Sequence, residues 1–330
     1  MFGRREWTRL ALGAGAGLAA GSVPGSGARA QGSWPDRPLR WVVGYGAGGA
    51  SDIFARMIAK QMGPTIGQSI VVENRPSGGA IVATENVIRS PADGYSLLHV
   101  DNGVLIYNPA LYARLPFDPD KDLTSVAFIG RFPMLVLVRP ESPFADFAGM
   151  LAESKKRSLT FGTPAVASPH QLAMEVLKRH SGLEATHVPY RGMPAVLNDL
   201  VSGQVDCVVS DITNALPFLS TGRARGIMVI GDSRASAAPQ VPTAVELGYP
   251  RAVAYGWQGI SVAAATAPAI VERLNSLIRA AIESPEVSKQ MRDIGAELVP
   301  RSPAEMAEFV RAENAVWRPL IRDLAIRLDV

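Results

Sequence analysis

Short apolar runs alternate with helically spaced apolar positions along most of the chain. Leu39–Val43 is an apolar run that reads as a strand, and residues 51–62 follow with the spacing of an amphipathic helix. A strand at 69–72, a glycine turn with a helix over 80–88, and a strand at 96–100 continue the alternation. The pattern restarts at 134–138. There Ser142-Pro143 predicts a helix running to Ala152, with serine as cap and proline in the first position. Strands are expected at 159–161, 186–188, 205–209 and 227–230, with helices at 168–179, 193–201 and 214–220 between them. Two rounds of this alternation predict two α/β domains, each a mostly parallel sheet flanked by helices. The C-terminal part reads as helical. Ile270, Leu274, Leu277, Ile278 and Ala281 share one face of a helix over 268–282, and Ser302-Pro303-Ala304-Glu305 is a capping box. Pro319 predicts a kink or an end to that last helix. This tail is expected to pack back on the first domain.

Composition narrows the class. The 330 residues are 47% hydrophobic and 19% charged, which supplies a sizeable core and excludes disordered, collagen-like and coiled-coil chains. A disulfide framework is excluded by the single cysteine, Cys207, which sits in a strand-like run and reads as a small buried apolar residue. Residues 1–30 read as a removable export signal. Arg4, Arg5 and Arg9 precede an apolar Gly/Ala-rich stretch, and Ala28-Arg29-Ala30 forms a small-x-small cleavage site, so cleavage is expected near Gln31. The paired arginines and weak hydrophobicity favour twin-arginine export to the periplasm. The net charge of +3 comes from this leader. It holds four Arg and one Glu, and without it 29 basic residues face 29 acidic ones. The basic balance therefore gives no reason to expect a nucleic-acid or membrane-surface partner.

The segment with most chemical content is the glycine loop between the first strand and the first helix. Gly44-Tyr45-Gly46-Ala47-Gly48-Gly49-Ala50 leads into Ser51 and Asp52 at the helix start. Glycines let backbone approach a ligand, and a helix N-terminus offers unpaired N–H groups and a positive dipole end, which together suit a carboxylate or phosphate. The second half repeats the device. There 161–167 leads to Ser168, Pro169, His170 and Gln171, and two such sites facing one cleft suit a ligand with two anionic ends. Gly44, Gly46 and Gly49 also match G-x-G-x-x-G literally, with Glu73 where a ribose-binding acid is sought. An exported NAD(P)-dependent oxidoreductase is therefore the alternative, although Asp52 would repel a pyrophosphate. No catalytic residues are expected. G-x-S-x-G and H-E-x-x-H are missing, and His99, His170, His180 and His187 have no metal spacing. His187 reads as a hydrogen-bonded core residue. A triad of His170, Ser210 and Asp211 has no support from spacing.

Several segments in order carry a family resemblance. They are Gly48-Gly49-Ala50-Ser51-Asp52-Ile53-Phe54-Ala55-Arg56, Val72-Glu73-Asn74-Arg75-Pro76, Pro91-Ala92-Asp93-Gly94-Tyr95, Asn108-Pro109-Ala110-Leu111-Tyr112, His187-Val188-Pro189-Tyr190-Arg191-Gly192 and Gly203-Gln204-Val205-Asp206. From Trp34 to its end the chain resembles the receptors of tripartite tricarboxylate transporters, the Bug or TctC family. The resemblance implies a two-domain type II periplasmic binding protein fold with a ligand cleft between the domains. It implies domain 1 at 31–130 plus 258–330 and domain 2 at 131–257. It also implies no cofactor, no metal and no catalysis. A monomer is expected, with membrane transporter subunits and a small organic carboxylate as partners. Carried over by position, Tyr45, Gly46, Ala47, Gly48, Gly49, Ser51 and Asp52 form the first ligand loop, with Asn108 near the cleft. Thr163, Ala165, Ser168, His170 and Gln171 form the second loop, Asp211 helps choose the ligand's distal end, and Tyr190 is a further candidate. The chain also departs from the family pattern. Gly44 and Tyr45 stand where Pro-Phe is usual, Ala165 and Ala167 replace glycines, and Asp101 and Asn102 occupy a stretch that is often Ser/Gly-rich.

Overall fold

The computed structural model describes residues 34–328. The leader read over 1–30, with its cleavage point near Gln31, lies outside the described residues. Among the described residues nine strands form one sheet: β1 (Leu39–Val43), β2 (Ile70–Asn74), β3 (Ser96–Asp101), β4 (Leu123–Val138), β5 (Leu159–Thr163), β6 (Ala185–Pro189), β7 (Cys207–Asp211), β8 (Arg225–Val229) and β9 (Tyr255–Ala263). The helices of the first part are α1 (Ala50–Ile66), α2 (Ile81–Ile88), α3 (Asn108–Leu111) and α4 (Pro119–Asp122). Those of the second are α5 (Phe147–Ser154), α6 (Pro169–Ser181), α7 (Met193–Ser202) and α8 (Ile212–Ser220). The tail holds α9 (Pro268–Glu283), α10 (Pro285–Asp293) and α11 (Pro303–Asp323).

The sheet order is β2-β1-β3-β9-β4-β7-β5-β6, with β8 also paired to β4. Strand β1 is parallel to β2 and β3, and β5 is parallel to β6 and β7. The long strand β4 makes this two wings. From Leu123 to Pro133 it pairs antiparallel with β9, and from Met134 onward it pairs with β7 and β8. The switch of partner falls at Pro133, which has no N–H to give a ladder. The expected parallel groups are present, and antiparallel β4 and β9 join them.

Both faces of the strands are covered, as parallel sheets require. On β1, Leu39, Trp41 and Val43 pack with Phe54, Ile58 and Met62 of α1 and with Leu274 and Ile278 of α9. Val42 faces the other way, with Ala83 and Val87 of α2. In the second wing Leu135 and Val208 pack on Val196 and Leu200 of α7, while Phe161 and Val209 face Leu172 and Leu177 of α6. The tail packs back as expected, through α9 on the α1 cluster and through Trp317 and Ile321 of α11 on the opposite one.

Two local expectations need correction. The helix expected from Ser142 begins at Phe147, because the Asp146 side chain accepts from the Gly149 N–H and caps it there (2.8 Å). Ser142 instead closes a turn onto the Arg139 carbonyl. Helix α11 runs through Pro319 to Asp323, and buried Leu320 and Ile321 beyond the proline keep it docked. Cys207 is fully buried and unpaired, and burial pushes its thiol well above the ordinary range. His187 is half-buried and bonds Thr163 Oγ1 through Nε2 (2.6 Å).

Candidate functional site

A cleft of about 430 Å³ lies where β4 and β9 cross between the wings. Gly48, Gly49 and Ala50 line one side, and His170, Asp211 and Asn214 line the other. Its apolar wall is Phe54, stacked on Phe132 at 5.3 Å, with Met134 and Ile53. That size and mixture suit a small ligand. A larger groove of about 590 Å³ runs beside α11. There Arg318 and Asp120 already pair with each other (2.6 Å), and both helix starts that line the groove, those of α4 and α11, are capped by their own side chains, Asp118 and Ser302. The cleft between the wings is therefore the better candidate.

The first loop is built by packing constraints as much as by ligand constraints. A Cβ on Gly44 would sit 2.2 Å from that of Ala80, so this glycine lets β1 meet the start of α2. Gly48 holds φ +80°, the left-handed region that favours glycine. The Asp52 carboxylate accepts from the Gly48 N–H (2.9 Å) and meets Arg56 (2.9 Å), so it clasps the loop from behind. Burial opposes its charge, but Arg56, Gly48 and Asn74 outweigh that and hold the carboxyl below its ordinary range. Gly49 is the N-cap of α1 and offers no side chain to the first turn. The first-turn N–H groups of α1 are thus left to the cleft.

The helix starts across the cleft are different. Ser168 caps α6 by accepting from the Gln171 N–H (3.3 Å). Asp211 caps α8 by accepting from the Asn214 N–H (3.0 Å). Asp211 Oδ2 also lies 3.3 Å from His170 Nε2, and Asn214 Nδ2 donates to both carboxylate oxygens. Burial again opposes the charge on Asp211, and His170 and Asn214 overcome it and lower its pKa. An ionised carboxylate only accepts, so Nε2 carries the His170 proton. His170 Nδ1 is buried without a partner. The two expected anion sites are therefore unequal: one helix start is uncapped and two are capped by their own side chains.

Of the residues expected to bind, Gly48, Gly49, His170 and Asp211 line the cleft. The others lie outside its lining, each for a physical reason. Tyr45 stands behind the loop, its OH donating to Asp101 (2.5 Å). Gly46, Ala47 and Ala165 are exposed on their loops, and Ser51 and Asp52 are buried beneath the first. Asn108 is buried and donates to the Gly79 carbonyl (2.7 Å), steadying a tight turn. Thr163 bonds the Ala165 carbonyl and His187. Ser168 is a cap, and Gln171 turns back to accept from Ala167 N–H (2.6 Å). Tyr190 donates to Asp199 (2.7 Å), and burial with that neighbour pushes its pKa up to about 12. Cleft-lining residues that the sequence reading did not name for binding include Asp101 at the end of β3, Asn102 just beyond it, Phe132 and Met134 of β4, and Gly256 to Gln258 of β9. The signal for the first pair was available: ligands gather outside the carboxyl ends of parallel strands.

The dinucleotide alternative finds no support. Glu73 is engaged by Arg40 (3.4 Å) and Arg75 (3.1 Å), and Asp52 occupies an N–H that a pyrophosphate would need. Among the described residues there is no cluster of three metal-ligating side chains, and no helix is long and apolar enough to cross a membrane.

Two α/β wings joined by long strands, with a ligand-sized cleft lined from both, define a two-domain solute-binding protein. The model of the tripartite tricarboxylate transporter family receptor matches residues 54–326, and the chain belongs to that family. A relative from Pseudomonas sp. strain P51, the UPF0065 protein in the tcbD-tcbE intergenic region, is 32% identical over 88% of this chain and 87% of its own. The structure of R. palustris Rpa4515 with adipate superposes with a TM-score of 0.79 at 32% identity, covering 89% of this chain and 100% of that one. MatC from Rhodopseudomonas palustris with bound malate gives 0.74, also at 32% identity, covering 87% and 99%.

Proposed function

We propose that this protein is an exported periplasmic receptor that captures one small organic carboxylate between domain 1 (31–130 plus 258–330) and domain 2 (131–257). It then delivers the ligand to membrane subunits of a tripartite tricarboxylate-type transporter. It acts as a monomer and does no covalent chemistry. The observation that carries the reading is the uncapped start of α1, whose residues Gly48 to Ala50 face the cleft, while the starts of α6 and α8 across it are capped by their own side chains. A helix start is equivalent to roughly half a positive charge with donors aimed outward, which suits a carboxylate. The opposing wall, with His170, Asp211 and Asn214, sets ligand choice. Hinge motion about β4 and β9 closes the wings on the ligand. Adipate and malate in the two relatives above support carboxylates as the ligand class.

The test is a thermal-shift screen of the mature protein, refolded to strip retained ligand, against carboxylates, amino acids, aromatic acids and NAD(P). A ligand at ~100 times its Kd adds ~2.7 kcal/mol of stability. Stabilisation by a carboxylate is expected; stabilisation by NAD(P) alone overturns the reading.

A further inference from the structure

The charges on the cleft wall do not suit a ligand with two carboxylates. Among the described residues lining it, the only charged side chains are the carboxylates Asp101 and Asp211, and no Lys or Arg is present. Asp211 is already engaged by His170 and Asn214. Asp101 is not matched by any cation. Its partners are neutral donors, the Tyr45 hydroxyl at 2.5 Å, the Val104 N–H at 3.0 Å and the Gly103 N–H, and burial raises its pKa above the ordinary value. A carboxylate has roughly four acceptor positions, so capacity remains for a donor from the cleft. Tyr45 and Asp101 are also paired departures from the family pattern: a hydroxyl appears on the loop where its acceptor appears on β3.

We infer that Asp101 makes this cleft select a monocarboxylate carrying a proton-donating group, an ammonium or an amide, over a dicarboxylate of the same length. The inference rests on the carboxylate-receptor reading above. The ligand's carboxylate sits on the first turn of α1, and its donor meets Asp101. A second carboxylate brought into the same volume faces Asp101 and Asp211 and no Lys or Arg side chain among the described residues, so it is rejected electrostatically rather than sterically. Specificity of this kind arises from the repulsive element as much as from the attractive one.

The test is calorimetric titration of the purified protein with matched sets. Succinate, glutarate and adipate are each compared with the ω-amino acid, the ω-amide acid and the α-amino acid of equal length. At the length that binds best, a donor-bearing ligand is expected to exceed the dicarboxylate by about tenfold or more, the size of one hydrogen bond to a charged group. Asp101→Asn is expected to shrink that ratio by about tenfold, and Asp101→Ser provides the same reading should the amide perturb the Tyr45 bond. A dicarboxylate that binds tightest at every length, or a ratio unchanged in both variants, overturns the inference while leaving a carboxylate receptor intact. Failure of every carboxylate in the panel removes both readings together.

Discussion

Gly49→Val isolates the α1 helix start from the stability of the loop. Gly49 lies at φ −76° and ψ 167°, in extended space open to any residue. A Cβ there meets only the Gly46 carbonyl oxygen, at 3.4 Å, a contact the exposed loop can relax. Replacing a favourable N-cap costs about 1 kcal/mol, and the less flexible unfolded chain returns about 0.4–1 kcal/mol. Net stability should therefore move by less than about 1 kcal/mol. Binding should change far more, because the isopropyl group stands over the first-turn N–H groups. Loss of two hydrogen bonds to a charged ligand, at about 1.5–3 kcal/mol each, weakens binding by about two to four powers of ten. Urea unfolding of the ligand-free protein measures the first quantity, and calorimetric titration with the carboxylate found by screening measures the second. Gly46→Ala is the control, since its Cβ meets nothing within 4 Å. A folded Gly49→Val protein that binds within about threefold of the parent would refute the placement of the carboxylate on α1, because one hydrogen bond to a charged group is worth more.

Asp211→Asn keeps an N-cap on α8 while removing a charge, so stability should fall by no more than about 2 kcal/mol while the order of preference across a ligand panel changes; an unaltered order would mean that Asp211 only caps. Asn102→Ala should cost about 2–4 kcal/mol in urea unfolding. The Asn102 amide donates to the Tyr255 carbonyl (3.1 Å) and accepts from the Trp257 N–H (2.9 Å), and two buried backbone groups lose partners together. His99 is fully buried against Gln258, and burial lowers its pKa to about 4. Because that folded value lies below the ordinary 6.5, the unfolded chain takes up the proton first as pH falls. Stability is therefore fully present above about 6.5 and declines toward 4, by up to ~1.4 kcal/mol per pH unit for this group. His187, also lowered to about 4 by burial, acts in the same window, so the difference in slope between parent and His99→Gln is the quantity to measure. Identical slopes would show that His99 titrates alike in the folded and unfolded protein, so that burial does not lower its pKa.

The elements that the hydrophobic pattern revealed are those whose spacing is uninterrupted, such as β1, α1, α6 and α9. Strand β9 and the first part of β4 escaped because glycine and proline interrupt them, and such residues read as loop signals. In the fold these glycines mark close approach. A Cβ on Gly130 would stand 2.8 Å from the Glu297 carbonyl oxygen, on Gly259 2.8 Å from that of Ala127, and on Gly256 2.8 Å from Met134 Cε. The cost to the reading was large, since β4 and β9 supply Phe132, Met134 and Gly256 to Gln258 of the cleft. The start of α11 was legible because both halves of the capping box lie within four residues. The end was not, because what carries α11 past Pro319 is burial of Leu320 and Ile321 by residues distant in sequence.

The polar residues near the loops show why proximity in sequence overstates a binding site. A buried polar group must first be satisfied within the fold, and most of those expected to touch ligand are consumed in that way. Asp52 holds Gly48, Gln171 holds Ala167, Tyr190 holds Asp199, and Ser168 caps α6. What remains for a ligand is the hydrogen-bonding capacity left over once those bonds are made. On the cleft wall that remainder is the first turn of α1 as donor, with the free lone pairs of Asp101 as acceptors. Donors on one side and acceptors on the other describe a ligand that is anionic at one end and proton-donating elsewhere. This complement follows from which bonds the fold has already used, and linear sequence does not disclose it.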